Sequence, residues 1–363
     1  MNELQILLGK VPVFPKTELK SSDWKGGLIA RTPNWLGDAV MAVPALYQLK
    51  KTIPAECPFI VVTPKGISDI FKALPFVDEV IETDNRSFLK SKKDIVNMKQ
   101  KHAGVGVLFN NSFKNALLMK LAGIRKIYGA SARGRKILLS KAVNFPRIRP
   151  GQFHDFHQAG LYLALAYSLG AEEWQGDFPE FKVAKKIHDM KYEVVALSGR
   201  EKLLLVAPGA AYGEAKRWPS ENYRELCNFW VENGGTVGIA GAGKEADIAR
   251  IVSKGFPEDK VFDLAGKTDV SELIYILQKA SLCISNDSGI MHLASAVGTP
   301  GIAIFGSTDP YLTGPLSKKW KVFHEKQCCA PCFKRECAKG SYSCLRAVRP
   351  EDVIDYVKSL KII

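Results

Sequence analysis

Acidic side chains almost vanish from one stretch of this 363-residue chain. Between Asn85 and Pro150 there are 16 Lys and Arg against a single acid, Asp94. The whole chain carries 51 basic and 37 acidic residues, a net +14, so that stretch accounts for the excess. It includes Arg86, Lys92, Lys93, Lys114, Arg125, Lys126, Arg133, Arg135 and Lys136. A field of one sign attracts polyanions: nucleic acid, an anionic membrane surface or a phosphorylated substrate. A solvated face is the plainer alternative. No RNP, KH or zinc-finger pattern accompanies the charge, so nucleic acid is not the expected partner.

Other absences narrow the class. No apolar run approaches the roughly 18 residues of a membrane span. The longest, 161–169, is interrupted by Tyr162, Tyr167 and Ser168. The opening MNELQILLGK lacks the basic region of a signal peptide, and the chain is expected to be cytoplasmic. No D-x-D pair is present to hold a Mg²⁺–diphosphate complex. Residues 238–245, GIAGAGKE, fit G-x-x-x-x-G-K, but Glu245 stands where a P-loop needs Ser or Thr. The same stretch is not G-x-G-x-x-G, so hydride transfer has no support.

What is present is a repeated alternation of strand and helix. Apolar runs at 28–31, 59–62, 77–81, 105–109 and, weakly, 137–139 read as strands. Helical spacing marks 39–50, 67–73, 116–122 and 154–169, with a further helix between 81 and 105. The second half reads strand at 203–207, 236–240, 261–264, 282–285 and 302–305. Its helices are 221–232 with Ser220 as cap, 244–252, 269–279 opened by an Asp269–Glu272 capping box, 289–297 and 350–360. This is an α/β chain with parallel sheets covered on both faces, in two Rossmann-like domains. The expected bounds are an N-terminal extension 1–25, a domain at 26–190, a domain at 191–349 and a C-terminal helix 350–363, with 182–199 as linker. Ligands of such sheets bind at the carboxyl ends of the strands, so facing domains would share one cleft.

The loops at those ends carry the chemistry. Gly37 and Asp38 follow the first strand, where Asp38 is either a helix cap or a general base facing the cleft. After 203–207 comes PGAAYGEAKRWP. Gly209 and Gly213 permit close backbone approach, and Lys216 and Arg217 add positive charge suited to a diphosphate. After 282–285 come Asn286, Asp287, Ser288 and Gly289, at the start of a helix whose amides can bind phosphate or be capped. His292 lies one turn on, as a packed histidine or a ligand contact. Cys57, Cys227 and Cys283 are isolated and expected to pack as small apolar groups. Cys328, Cys329, Cys332, Cys337 and Cys344 cluster; the last four form a candidate structural site for zinc or an iron–sulfur cluster, with free thiols or disulfides as the alternative.

Three stretches, RTPNWLGDAVMAVPAL, APGAAYGEAKRWP and NDSGIMHLASAVGTPGIAIFGSTDP, together resemble the signatures of the ADP-heptose:lipopolysaccharide heptosyltransferases (glycosyltransferase family 9), nearest to heptosyltransferase II. The resemblance runs over about residues 26–360. It implies a GT-B fold, two Rossmann-like domains facing across a cleft, with the acceptor on the first and the nucleotide sugar on the second. It implies inverting transfer of L-glycero-D-manno-heptose from ADP-heptose to inner-core heptose on Kdo-lipid A, without a required cofactor, at the cytoplasmic face of the inner membrane. Asp38 then corresponds to the catalytic base. Lys216, with Arg217, Gly209, Ser288 and Gly289, corresponds to the donor diphosphate site, and Asp287 to the residue on the donor heptose. Asn286, His292, Gly241, Gly243, Lys267 and Thr268 are further expected donor contacts. The cations Lys114, Arg125, Lys126, Arg133, Arg135 and Lys136 are expected to hold the polyanionic acceptor and the anionic membrane surface. Heptosyltransferase I or III activity, a non-catalytic polyanion-binding protein and an RNA-binding protein remain as alternatives.

Overall fold

The computed structural model describes residues 7–84, 91–146 and 154–362. Arg86 lies outside the described residues. Backbone contacts divide the chain into two compact units, Met1–Arg147 with Phe156–Lys182, and Ile148–Asp155 with Val183–Ile363. The division thus falls after Lys182 rather than after residue 190, and the C-terminal helix belongs to the second unit.

The first unit contains β1 (Leu28–Arg31), α1 (Leu36–Met41), α2 (Val43–Thr52), β2 (Phe59–Pro64), α3 (Ser68–Lys72), β3 (Glu79–Thr83), α4 (Ser91–Lys99), β4 (Val105–Leu108), α5 (Phe113–Leu121), β5 (Lys126–Ala130), β6 (Lys141–Val143) and α6 (Gln158–Tyr167). The second contains α7 (Tyr192–Ser198), β7 (Leu203–Ala207), α8 (Ser220–Glu232), β8 (Thr236–Ile239), α9 (Ala246–Ser253), β9 (Val261–Asp263), α10 (Val270–Lys279), β10 (Leu282–Asn286), α11 (Gly289–Val297), β11 (Gly301–Phe305), α12 (Pro310–Thr313), β12 (Trp320–His324), α13 (Ser343–Arg346) and α14 (Pro350–Ser359). None of the described helices is long and apolar enough to cross a membrane.

Each unit holds a six-stranded sheet, ordered β3-β2-β1-β4-β5-β6 and β12-β11-β10-β7-β8-β9. The two orders are the same when each unit is counted from its own first strand. The pairings are parallel. Central strands such as β1, β4, β7, β10 and β11 are buried at every position, as helices on both faces require. In both sheets the order reverses between the first and fourth strands. Loops leaving β1 and β4, or β7 and β10, run to opposite faces and leave a crevice between them.

Several expected elements are corrected by local chemistry. The helix expected at 39–50 is two helices, α1 and α2, because Pro44 has no N–H to continue the first. The weak strand expected at 137–139 is a 3₁₀ turn, Arg135–Leu138, entered through Gly134 at φ 75°. The edge strand is β6, three residues later. β5 and β12 escaped the sequence reading because Lys126 and Gly129, or Lys321, interrupt their apolar pattern. Ser220 caps nothing; the N-cap position is Pro219. The helix expected from His154 begins at Gln158, where His157 Nδ1 accepts from the Ala159 N–H at 3.1 Å.

The N-terminal extension is fastened to the first unit. Thr17 N–H donates to Ser168 O at 2.7 Å, Lys141 Nζ donates to the carbonyls of Pro15 and Lys16, and Lys126 pairs with Asp23 at 2.6 Å. The expected linker is also structured. Lys185 Nζ bridges Asp269 and Glu272 at 2.8 Å each, Lys191 N–H donates to Glu272 at 3.0 Å, and Val194 and Leu197 of α7 are buried. The Asp269–Glu272 capping box is present.

Glu272 has a wholly buried side chain. Burial opposes its ionisation, but Lys185 and the N–H groups of Asp269 and Lys191 outweigh it and hold the carboxyl below its usual range. A depressed carboxyl contributes stability above its unfolded pKa, and loses it as pH falls through the folded value. Urea midpoints of wild type should therefore fall below about pH 5 more steeply than those of Glu272→Gln; parallel slopes would remove Glu272 from the acid response.

Candidate active site

In the second unit the crevice between β7 and β10 is built on one buried amide. Asn286 ends β10 with no exposed surface. Its Oδ1 accepts from Trp218 N–H at 3.0 Å and from Tyr223 Oη at 3.1 Å, and its Nδ2 donates to Pro208 O at 2.8 Å and Gly209 O at 3.2 Å. The side chain expected to touch donor therefore ties both ends of the β7 loop to β10.

That clamp brings Lys216 and Asp287 together. Lys216 Nζ lies 2.5 Å from Asp287 Oδ2, with side-chain exposures of 12% and 3%. Thr308 Oγ1 donates to the same oxygen at 2.7 Å, and Thr313 Oγ1 stands 3.5 Å from it. The ring of Tyr212 faces the Lys216 ammonium at 4.9 Å. His292 is buried beside the pair. Desolvation pushes its imidazole down to about 4, outweighing Asp287, so it is neutral near pH 7.

Ser288 precedes α11 but makes no side-chain cap; its hydroxyl pairs with Ser285 at 2.9 Å. The first-turn amides from Gly289 onward thus start an uncapped helix beside Lys216, a setting suited to phosphate. Arg217 follows, with a buried Nε that has no partner. Glu245, the residue that disqualified the P-loop, accepts from Ala242 N–H at 2.8 Å. A Cβ at Gly209 would meet that carboxyl, the end of a flexible side chain that would have to shift to admit it. Gly241 and Gly243 lie beyond β8, and the exposed Lys267 and half-buried Thr268 beyond β9, on the same carboxyl edge.

In the first unit Asp38 is half-buried in the first turn of α1. The N-cap is Trp35, so Asp38 is not the cap; its charge lies close enough to oppose ionisation of Tyr162. Two buried arginines organise the surrounding loops. Arg31 donates to Thr32 O at 2.6 Å and Asn34 Oδ1 at 2.8 Å. Arg135 donates to Ala130 O at 2.8 Å and to Asn110 O, and Asn110 Nδ2 donates to Thr32 O at 3.2 Å. Burial pushes both guanidinium groups down to about 10.

The basic stretch does not form one surface. Arg135 is internal. Arg125 and Lys126 sit at the start of β5, on the amino edge of the sheet, and Lys126 is paired with Asp23. Lys114, Arg133 and Lys136 follow β4 and β5 on the carboxyl edge, Arg133 and Lys136 exposed. Lys92 and Lys93 are exposed on α4. The lone acid, Asp94, is buried; burial raises its carboxyl above the usual range, opposed most by the charges of Lys114 and Arg31.

The late cysteines are free thiols. Among the described residues no group of three or more His, Cys, Asp or Glu is gathered as a metal set; Cys329, Cys332, Cys337 and Cys344 lie in the segment that follows β12. That segment braces the Lys216 loop. Ala215 N–H donates to Arg335 O at 2.9 Å, Tyr212 Oη to Phe333 O at 2.6 Å, and Tyr342 Oη to Glu214 at 3.1 Å. Cys227 and Cys283 are buried, as their isolation suggested.

Sequence and fold comparisons agree with this architecture. Residues 95–343 match the model of glycosyltransferase family 9 (heptosyltransferase). The chain belongs to that family. It is a glycosyltransferase of the GT-B type, with two parallel-sheet domains. It is 28% identical to lipooligosaccharide heptosyltransferase 2 of Haemophilus influenzae over 301 residues, covering 79% of this chain and 85% of that one. The structure of Escherichia coli ADP-heptose lps heptosyltransferase II superposes with a TM-score of 0.75 at 23% identity, over 92% of this chain and 98% of that one. A family 9 glycosyl transferase from Veillonella parvula gives 0.80 at 20% identity, over 95% and 98%.

For this enzyme the Asn286 clamp generates a stability prediction. Asn286→Ala strands the Pro208 and Gly209 carbonyls and the Trp218 N–H in a buried place. The variant should lose about 2–4 kcal/mol in chemical denaturation, the order for buried polar groups left unpaired; a loss below about 0.5 kcal/mol would show that the clamp is dispensable.

Proposed function

We propose that the protein transfers L-glycero-D-manno-heptose from ADP-heptose to the inner-core heptose of a Kdo-lipid A acceptor, at the heptosyltransferase II step. The observation that carries the reading is the buried Lys216–Asp287 pair beside the uncapped start of α11, at the reversal point of the second sheet. The family's heptosyltransferase 2 relatives support the choice of step. The first and third heptosyl transfers are the alternatives, and acceptors truncated at successive heptoses separate them.

In this reading Asp38 takes the proton of the attacking acceptor hydroxyl. That oxygen forms the new bond to the anomeric carbon as the bond to the ADP oxygen breaks on the opposite side. The configuration inverts in one displacement. Lys216 and the first-turn amides of α11 receive the charge that grows on the leaving diphosphate, where fixed donors act most strongly. Arg217 is a further diphosphate contact, and Asp287 orients the heptose. Gly241, Gly243, Lys267 and Thr268 border the nucleoside. Lys114, Arg133 and Lys136 draw the anionic core and the inner-membrane surface to the acceptor domain.

Asp38→Ala should fold, bind ADP as wild type does, and transfer heptose at least about 100-fold more slowly, the low end for general-base help. Turnover within threefold of wild type, read by mass spectrometry of the acceptor, would take Asp38 out of the reaction. Lys216→Gln should lower kcat/KM for ADP-heptose by about tenfold or more while the acceptor KM holds; an unchanged donor kcat/KM would sink its diphosphate role.

A further inference from the structure

The loop leaving β11 reads Gly306-Ser307-Thr308-Asp309, and the reaction just described gives it no task. Its geometry does. Asp287 Oδ2 is shared by Lys216 Nζ at 2.5 Å and Thr308 Oγ1 at 2.7 Å, with Thr313 Oγ1 at 3.5 Å. Thr308 is buried, at 6% exposure, and a threonine hydroxyl has one proton to donate. Donating it to Asp287 settles which way the hydroxyl points and which carboxylate oxygen faces the lysine.

The backbone around Thr308 is equally fixed. Ser307 N–H donates to Ala215 O at 3.3 Å, next to Lys216 in the chain, and Phe333 N–H donates to Ser307 O at 2.8 Å. The α12 helix that carries Thr313 is started by Asp309, whose side chain accepts from Tyr311 N–H at 2.9 Å. The β11 loop is therefore tied to the β7 loop at one end and to its own helix at the other, with Thr308 between.

We infer that Thr308 is a positioning residue for donor binding: its hydroxyl holds Asp287 Oδ2, and through it the Lys216 ammonium, where the diphosphate of the nucleotide sugar is received. The inference rests on the donor site proposed above. A lysine on a flexible stem follows the nearest anion, so a diphosphate entering beside Asp287 competes for it. A carboxylate held by a second donor keeps its place during that competition. The ammonium then meets the diphosphate with its remaining N–H groups and does not have to be reoriented when leaving-group charge develops. Thr313 is more distant and contributes less.

The test measures ADP binding by calorimetry and donor and acceptor KM in the transfer assay, on the full chain. Thr308→Val keeps the shape and removes the hydroxyl; Thr308→Ser keeps the hydroxyl. The expected result for Thr308→Val is an ADP Kd and an ADP-heptose KM raised about tenfold, the order for one hydrogen bond to a charged group. The acceptor KM stays unchanged, and Thr308→Ser stays within twofold to threefold of wild type. Thr308→Ala replaces Thr308→Val should the latter not fold. Wild-type ADP affinity in the hydroxyl-free variant overturns the inference, as does a Thr308→Ser variant as weak as Thr308→Val. Wild type that binds no ADP overturns the donor site itself, and the inference with it.

Discussion

The second unit is organised around one carboxylate oxygen. Asp287 Oδ2 is met by an ammonium and a hydroxyl in a place with almost no access to water. Burying such a pair is expensive, and its Coulomb attraction does not reliably exceed the desolvation it suffers. Stability alone therefore does not explain why the charges are inside. They are held there by neighbouring groups: the Asn286 amide fixes where the β7 loop starts and ends, and the 333–342 segment braces its middle. The pair is formally neutral, and it is maintained at the reversal point of a parallel sheet, beside the uncapped start of α11.

The first unit solves the same problem with different residues. Its β1, β4 and β5 loops are stitched by guanidinium groups and an amide, in the series Arg135–Asn110–Thr32–Arg31–Asn34. The strand ends present carbonyls, and a buried arginine offers five donors in a rigid fork that satisfies several at once. Burial weakens the hold on the proton, yet at about 10 both groups stay charged near neutrality. The consequence is a firm floor beneath the loop that carries Trp35 and Asp38. Counting positive charge in the sequence treated Arg135 as surface; in the fold it is framework.

Much of the architecture was legible because parallel strands buried on both faces leave unbroken apolar runs. Leu203–Ala207 and Leu282–Asn286 needed little more than that. Two strands were harder: β5, inside its sheet, opens on Lys126, and β12, at the edge of the other, carries the exposed Lys321, so neither leaves an unbroken apolar run. Of the site, Asp38, Lys216 and Asp287 stood out as charges in loops after strands. Thr308 and Arg31 did not, since a threonine after a strand and an arginine at its end have no spacing that betrays a shared partner. The structural task of Asn286 was hidden for a related reason. Sequence places it beside the ligand loop, but only the fold shows all its hydrogen bonds closing on protein.

The cysteine segment shows how a conspicuous pattern can do inconspicuous work. Around Cys329-x2-Cys332, backbone and aromatic groups between the thiols make the contacts to the Lys216 loop. Arg335 O, Phe333 O and the Tyr342 hydroxyl reach the Lys216 loop; Cys337 stays within its own turn, accepting from Tyr342 N–H at 3.4 Å. Those contacts bear on Lys216 because a loop this rich in glycine and alanine has few side chains with which to hold itself. Its order is borrowed from Asn286 on one side and from the 333–342 segment on the other.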